Sequence, residues 1–150
     1  MTSVAIVIAA VVAAVLPLAP AQATYGSDQP VSVNVIANDG SGQELAALTG
    51  TLAFDDGNTK YRYNLQLCWK NAYPAPYFRI IVNGTAVNYP VQTGYSSATG
   101  CQAVYVFNSE TNFGSTVRNI RFDVTAGWFN FQNQYFTRTK SSGTYDNPYN

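Results

Sequence analysis

The chain has no histidine anywhere. That removes the side chain whose charge changes near neutral pH, the commonest zinc ligand, and the base of a Ser-His or Cys-His nucleophile pair. Charge of either sign is scarce: eight Lys and Arg balance eight Asp and Glu across 150 residues. Neither a nucleic-acid footprint nor a polybasic membrane patch can be assembled from that set. Lys60, Arg62 and Lys70 lie close in sequence but are offset by Asp55 and Asp56. The only two cysteines, Cys68 and Cys101, lack the C-x-x-C spacing of a reactive thiol pair. No convincing amphipathic helix is present. The apolar run 4–16 falls short of the roughly 20 residues that a membrane-spanning helix needs.

That apolar run sits in an uncharged leader, followed by Pro17, Pro20 and the small-x-small sequence Ala21-Gln22-Ala23. The pattern is that of a secretory signal peptide over 1–23, cleaved after Ala23. Its departure is an n-region without Lys or Arg, so the amino terminus supplies the only positive charge there or the true start lies upstream of Met1. The rival, an uncleaved anchor, is disfavoured by the short run and by the prolines that interrupt any extension. Export implies an oxidising compartment, where Cys68 and Cys101 are expected to form one disulfide. Such a bridge contributes roughly 3–4 kcal/mol in the chain-entropy model.

In place of charge, the chain is rich in tyrosine, asparagine, threonine and serine, a mix that suits an extracellular β-protein. Residues 61–70 show the pattern most plainly. Tyr61, Tyr63, Leu65, Leu67 and Trp69 take the odd positions, while Arg62, Asn64, Gln66 and Lys70 take even ones, with Cys68 the exception. Alternate residues of a strand point to opposite faces, so the odd side is expected to face a core and the even side water. Trp69 is therefore expected in the core. Val31, Val33 and Val35 alternate in the same way, and a strand through Thr51 to Phe54 is expected to form a hairpin with 61–70 across the turn signal Asp55-Asp56-Gly57-Asn58.

Asn83-Gly84 between two β-rich runs predicts a type I′ hairpin, because both central residues need positive φ. A two-residue loop sets Val82 opposite Thr85, Ile80 opposite Val87 and Phe78 opposite Tyr89, with Pro90 ending the second strand. Further strands are expected over 101–107, 117–125 and 128–138. The segments 24–30 and 140–150 are expected to be loose. The sum is an all-β chain: a single antiparallel β-sandwich or jelly-roll-like domain over 24–150, of about eight strands, with one disulfide. A small closed barrel is the alternative. A true immunoglobulin domain does not fit, because Trp69 directly follows Cys68 and the cysteine span is short.

Chemistry has few places to sit. A glycosidase needs only two carboxylates, but Glu44, Glu110 and the six Asp fall mostly in turns or on polar faces. The adjacent acids Asp55 and Asp56 fit local backbone hydrogen bonding better than catalysis. No enzymatic activity is expected. Asn38, Asp39 and Glu44, or Asp55, Asp56 and Asn58, offer loop oxygens, but neither set has the spacing of a calcium loop and turn chemistry explains both. No metal or cofactor is expected. Asn83-Gly84-Thr85 also fits the N-glycosylation pattern, which the turn itself explains.

The most informative surface is expected on the last hairpin. With Ala126-Gly127 as its turn, Val124 faces Phe129 and Phe122 faces Phe131 on the core side. The outer side then pairs Thr125 with Trp128, Asp123 with Asn130, Arg121 with Gln132 and Asn119 with Gln134. An aromatic ring beside amide and charged groups suits a sugar, whose apolar face stacks while its hydroxyls take hydrogen bonds. Trp128, Asn130, Gln132, Arg121 and Asp123 are the candidate ligand-binding residues. Tyr73, Tyr77 and Tyr95, on loops, form a second candidate patch. The expected function is a secreted, extracellular, non-enzymatic binding module, with a glycan or cell-wall polymer as first partner. The alternatives are a structural, self-associating surface protein and, third, a membrane-active β-sandwich toxin using the tyrosine-rich loops. Neither a nucleic-acid partner nor stable membrane insertion is expected.

Overall fold

Ten strands and no helix make up the computed structural model, which describes residues 24–150. The expected signal peptide, 1–23, lies outside the described residues. The strands are β1 (Gln29–Ile36), β2 (Glu44–Phe54), β3 (Lys60–Trp69), β4 (Tyr77–Val82), β5 (Ala86–Asn88), β6 (Gly94–Ser96), β7 (Ala103–Asn112), β8 (Asn119–Phe129), β9 (Tyr135–Ser141) and β10 (Tyr145–Asp146). They form two antiparallel sheets. One runs β1-β2-β3-β7-β6; in the other, β8 pairs with β4 on one side and with β9 and β10 on the other, and β5 edges β4. The all-β sandwich expected from strand alternation is what the chain forms.

β3 is the middle of its sheet, and its odd residues Tyr61, Tyr63, Leu65 and Leu67 are buried while Arg62, Asn64 and Gln66 are exposed. Directly paired residues share a face, so Leu52, Leu48 and Phe107 join that inner side. The second sheet answers with Phe78, Ile80, Val82, Ile120, Phe122 and Val124. Phe78 meets Phe107 across the layers edge-on, with ring centroids 4.8 Å apart. Each such buried side chain contributes roughly 1.5–3 kcal/mol over its exposed state. Trp69, at the strand end, is half-buried against the core, and its indole N–H donates to the Ala72 carbonyl at 2.8 Å.

Cys68 and Cys101 are bonded, with Cα atoms 5.4 Å apart. The bridge leaves the even face of β3 and ties that strand to the segment just before β7. The Gln102 N–H reaches the Trp69 carbonyl at 2.6 Å. The Asp55 carboxylate accepts the backbone N–H groups of Thr59 and Lys60 at 2.9 and 2.6 Å, the local bonding expected of a turn acid.

Three expectations are corrected. Asn83 and Gly84 do both adopt positive φ, 54° and 76°, and the Thr85 N–H closes the turn on the Val82 carbonyl. The ladder then resumes one residue late, pairing Val82 with Ala86, Ile81 with Val87 and Ile80 with Asn88. Thr85 is an extra residue, and the slip turns every later side chain over. Val87 is thereby exposed, and Asn88 points inward, where its amide donates to the buried Tyr61 hydroxyl at 3.0 Å.

The second correction concerns Ala126-Gly127. β8 runs straight through it, and the chain reverses over 130–133, with Asn133 at φ 58°. Gly127 serves a close approach instead of a turn. The Tyr73 N–H donates to its carbonyl at 2.7 Å, and an added Cβ would come within 2.7 Å of the Tyr73 carbonyl oxygen. A glycine inside a strand marks just such a crossing.

Thirdly, the end segments are tied down. Tyr25 forms a bridge with Asp55 and lies under the Arg62 guanidinium, 4.7 Å from the ring centroid. At the other end β10 pairs with β8, and the buried Asn147 amide donates to the Val117 carbonyl at 2.7 Å.

Candidate functional site

The two sheets are unequal at one edge. On the first, Tyr95 of β6 pairs with Tyr105 of β7, which pairs with the fully buried Leu67. All three therefore point to the inner face. On the second sheet β5 stops at Asn88, and Pro90 follows without an N–H to extend the ladder. No second-sheet strand covers Tyr95 and Tyr105, and a cleft of about 430 Å³ opens there. Its floor is Phe78 and Phe107; its walls are Tyr95 and Tyr105 on one side and Tyr77 and Tyr89 on the other.

Three of these tyrosines stand far out of the surface: Tyr77 is 55 % exposed, Tyr89 64 % and Tyr95 76 %. Tyr105 is held between Trp69, at 6.4 Å, and Tyr95, at 5.7 Å, so the wall is supported from behind. Gln92, whose amide N–H donates to the Gly94 carbonyl at 3.0 Å, leaves its side-chain oxygen as an acceptor at the rim. No lining residue carries a charge. A neutral ligand with a flat apolar side and peripheral hydroxyls matches such a lining.

The 74–77 loop forms one wall of this cleft and, from its other side, one wall of a 160 Å³ depression over Gly127, Tyr135 and Thr137. Tyr73 goes to that second side, packing on Phe129 with centroids 5.6 Å apart. The expected tyrosine patch is thus split: Tyr77 and Tyr95 share the cleft, and Tyr73 does not.

The hairpin patch is broken up more thoroughly. Trp128 is 2 % exposed instead of standing on the outer face. With the turn moved beyond it, Trp128 keeps the parity of Ile120, Phe122 and Val124, and its indole N–H donates to the Asp39 carboxylate at 3.0 Å. Asp123 is on the outer side as expected but is equally buried, under Arg79 and Arg121 at 3.3 and 2.9 Å and the Ser141 hydroxyl at 2.7 Å. Burial pushes its carboxyl upward, but those three partners outweigh it and hold the group below the usual carboxylate range. Its expected neighbour Asn130 is replaced by Ser141. Arg121 stays half-exposed, whereas Asn130 and Gln132 lie in the turn and bond to each other at 2.8 Å.

Three further acids form ion pairs. Glu44 pairs with Lys70, Glu110 with Lys60 at 3.6 Å and Asp28 with Arg62 at 3.2 Å. Among the described residues no three His, Cys, Asp or Glu gather as a metal would require. The Asn83 side chain is likewise occupied, accepting from the Arg118 N–H and donating to the Thr116 carbonyl at 2.7 Å each. Tyr89, Tyr105 and Gln92 were missing from the sequence-based sites. A signal existed for Tyr105, which shares the parity of Phe107 in its strand.

The chain matches no protein-family model, no curated protein and no solved structure.

Proposed function

We propose that this is a secreted, non-enzymatic binding protein that holds an extracellular glycan or cell-wall polymer in the Tyr77–Tyr89–Tyr95 cleft. The observation that carries the proposal is the set of three prominently exposed tyrosines around an uncharged hollow of about 430 Å³. Water penalises such rings, and a sugar face removes that penalty at roughly 25 cal/mol per Å² covered. Phenolic hydroxyls and the Gln92 oxygen then answer sugar hydroxyls at the rim. The disulfide agrees with an oxidising compartment. The lining holds no carboxylate to act as acid or base, which favours binding over hydrolysis.

A glycan array followed by polysaccharide pull-down tests this. Tyr77→Ala and Tyr95→Ala, singly and together, should cut retention by at least tenfold while melting temperature stays within a few degrees. An array on which the wild type retains nothing, or a double variant that binds as well as wild type, would refute the proposal.

A self-associating surface protein is the second reading. Val87, on the edge strand β5, and Val91, three residues beyond it, are 47 % and 79 % exposed apolar side chains. A concentration-dependent dimer in sedimentation, abolished by Val91→Asp, would favour it; a monomer at all concentrations would dismiss it.

A further inference from the structure

We propose that the β8–β9 hairpin tip docks this protein reversibly on a lipid surface, with Phe131 entering the acyl region. The inference is independent of the tyrosine cleft. Phe131 sits in the turn and is 95 % exposed, a large apolar ring with almost nothing of its own chain against it.

The surroundings select lipid over a flat protein face. Aromatic rings occur on both sides of the hairpin: Phe129 lies against Tyr135 at 5.3 Å on one face, and Phe136 stacks on Trp128 at 5.7 Å on the other. A protein partner covers one face, whereas a lipid phase surrounds the tip. From 126 to 137 there is no charged residue. The turn also meets much of its own hydrogen bonding. The Asn130 N–H reaches the Gln134 carbonyl and the Asn133 N–H reaches the Asn130 carbonyl, both at 3.0 Å. The Asn130 side-chain oxygen accepts the Gln132 and Gln134 N–H groups at 2.9 Å each, and its amide donates to both Gln side chains. Internal satisfaction is what an apolar phase demands of any backbone that enters it.

Charge returns where headgroups would lie. Arg138, bonded to the Ile36 carbonyl at 2.7 Å, is three residues behind Tyr135, about 10 Å along the strand. The Asp39 carboxylate accepts from the indole of Trp128, whose strand partner Phe136 lies two residues nearer the tip than Arg138. A cation and an anion behind the apolar tip complement a zwitterionic headgroup layer. Tyr73 and Tyr135 take the amphipathic positions between the two zones.

Flotation with phosphatidylcholine vesicles tests the proposal. Wild type should rise with the vesicles, and Phe131→Ala should lower partitioning about tenfold, the consequence of withdrawing one ring from the acyl phase. Because the ring touches so little of the fold, melting temperature should not change. In a parallel variant, Phe131→Trp, the new indole should be quenched by lipids brominated on the acyl chain. Wild type that stays at the bottom, Phe131→Ala that floats equally well, or an unquenched indole in Phe131→Trp would each overturn it.

Discussion

Replacing Trp128 by alanine should unfold much of what the second sheet contributes, because the indole is a core side chain and not a binding platform. It is 2 % exposed, stacks on Phe136 and ends in a hydrogen bond to Asp39. Trp→Ala in a core costs about 3–5 kcal/mol through lost burial and the cavity left behind. Set against a domain stability of about 5–15 kcal/mol, that is a large share. With a shift of several degrees for each kcal/mol in a domain of this size, the midpoint should fall by about 10–20 °C. Trp128→Phe keeps a six-membered aromatic ring but loses the pyrrole part with its N–H to Asp39, so its fall should be smaller though still measurable. Urea and thermal melts followed by far-UV circular dichroism measure both. The reasoning fails if Trp128→Ala melts within two or three degrees of wild type, for then the indole does not lie where its parity places it.

Three further outcomes follow from particular contacts. Gly50, in the middle of β2 at φ 143°, lies so close to β3 that an added Cβ would overlap the Asn64 carbonyl oxygen and come 2.9 Å from the Leu65 Cα. Backbone strain and overpacking together predict a loss of about 3–5 kcal/mol for Gly50→Ala, read as a urea midpoint; a neutral result would mean β2 and β3 are not so closely laid. Cys68→Ala with Cys101→Ala opens a link of sequence separation 33, and roughly 3–4 kcal/mol should be lost in chemical denaturation. Asp123→Asn should cost about 1.5–2 kcal/mol at neutral pH, the lower end for charge-assisted bonds because both arginines are partly exposed. A carboxyl lowered in the fold contributes stability above its unfolded pKa near 4 and loses it as pH falls through the folded value. Wild type should therefore lose more stability than Asp123→Asn as pH falls below about 4; parallel curves would show that Asp123 is not held low.

What was legible in the sequence was whatever strand parity alone decides. The alternation from Tyr61 to Leu67 named its buried face correctly, and Ile120, Phe122 and Val124 did the same for β8. Parity fails where a turn must be placed. Ala126-Gly127 looked like a turn because glycine commonly marks one, yet the glycine answers a backbone crossing from residue 73 that is remote in sequence. The true turn carries its left-handed residue at Asn133, a weaker sequence signal than Asn-Gly. Moving the turn left Arg121, Asp123 and Thr125 facing outward but gave them new neighbours, and it sent Trp128 inward. At Asn83-Gly84 the turn type was legible and the register was not, because a single extra residue is invisible to composition.

The cleft was illegible for a different reason. Two of its four tyrosines are not outward-facing residues: whereas Tyr77 pairs with the outward Thr125, Tyr95 and Tyr105 have inner-face parity and would be core if the opposite sheet were as wide. They are exposed because β5 has three residues and Pro90 stops it, so the edge of one sheet overhangs the other. No single strand encodes that overhang. It depends on the difference between two edges, set independently by a short strand, a proline and a slipped register. On the first-sheet side Tyr105 is braced between Trp69 and Tyr95, whereas Tyr89 lies just past the end of β5. In the proposed binding mode, the braced wall is the side on which a flat ligand would rest.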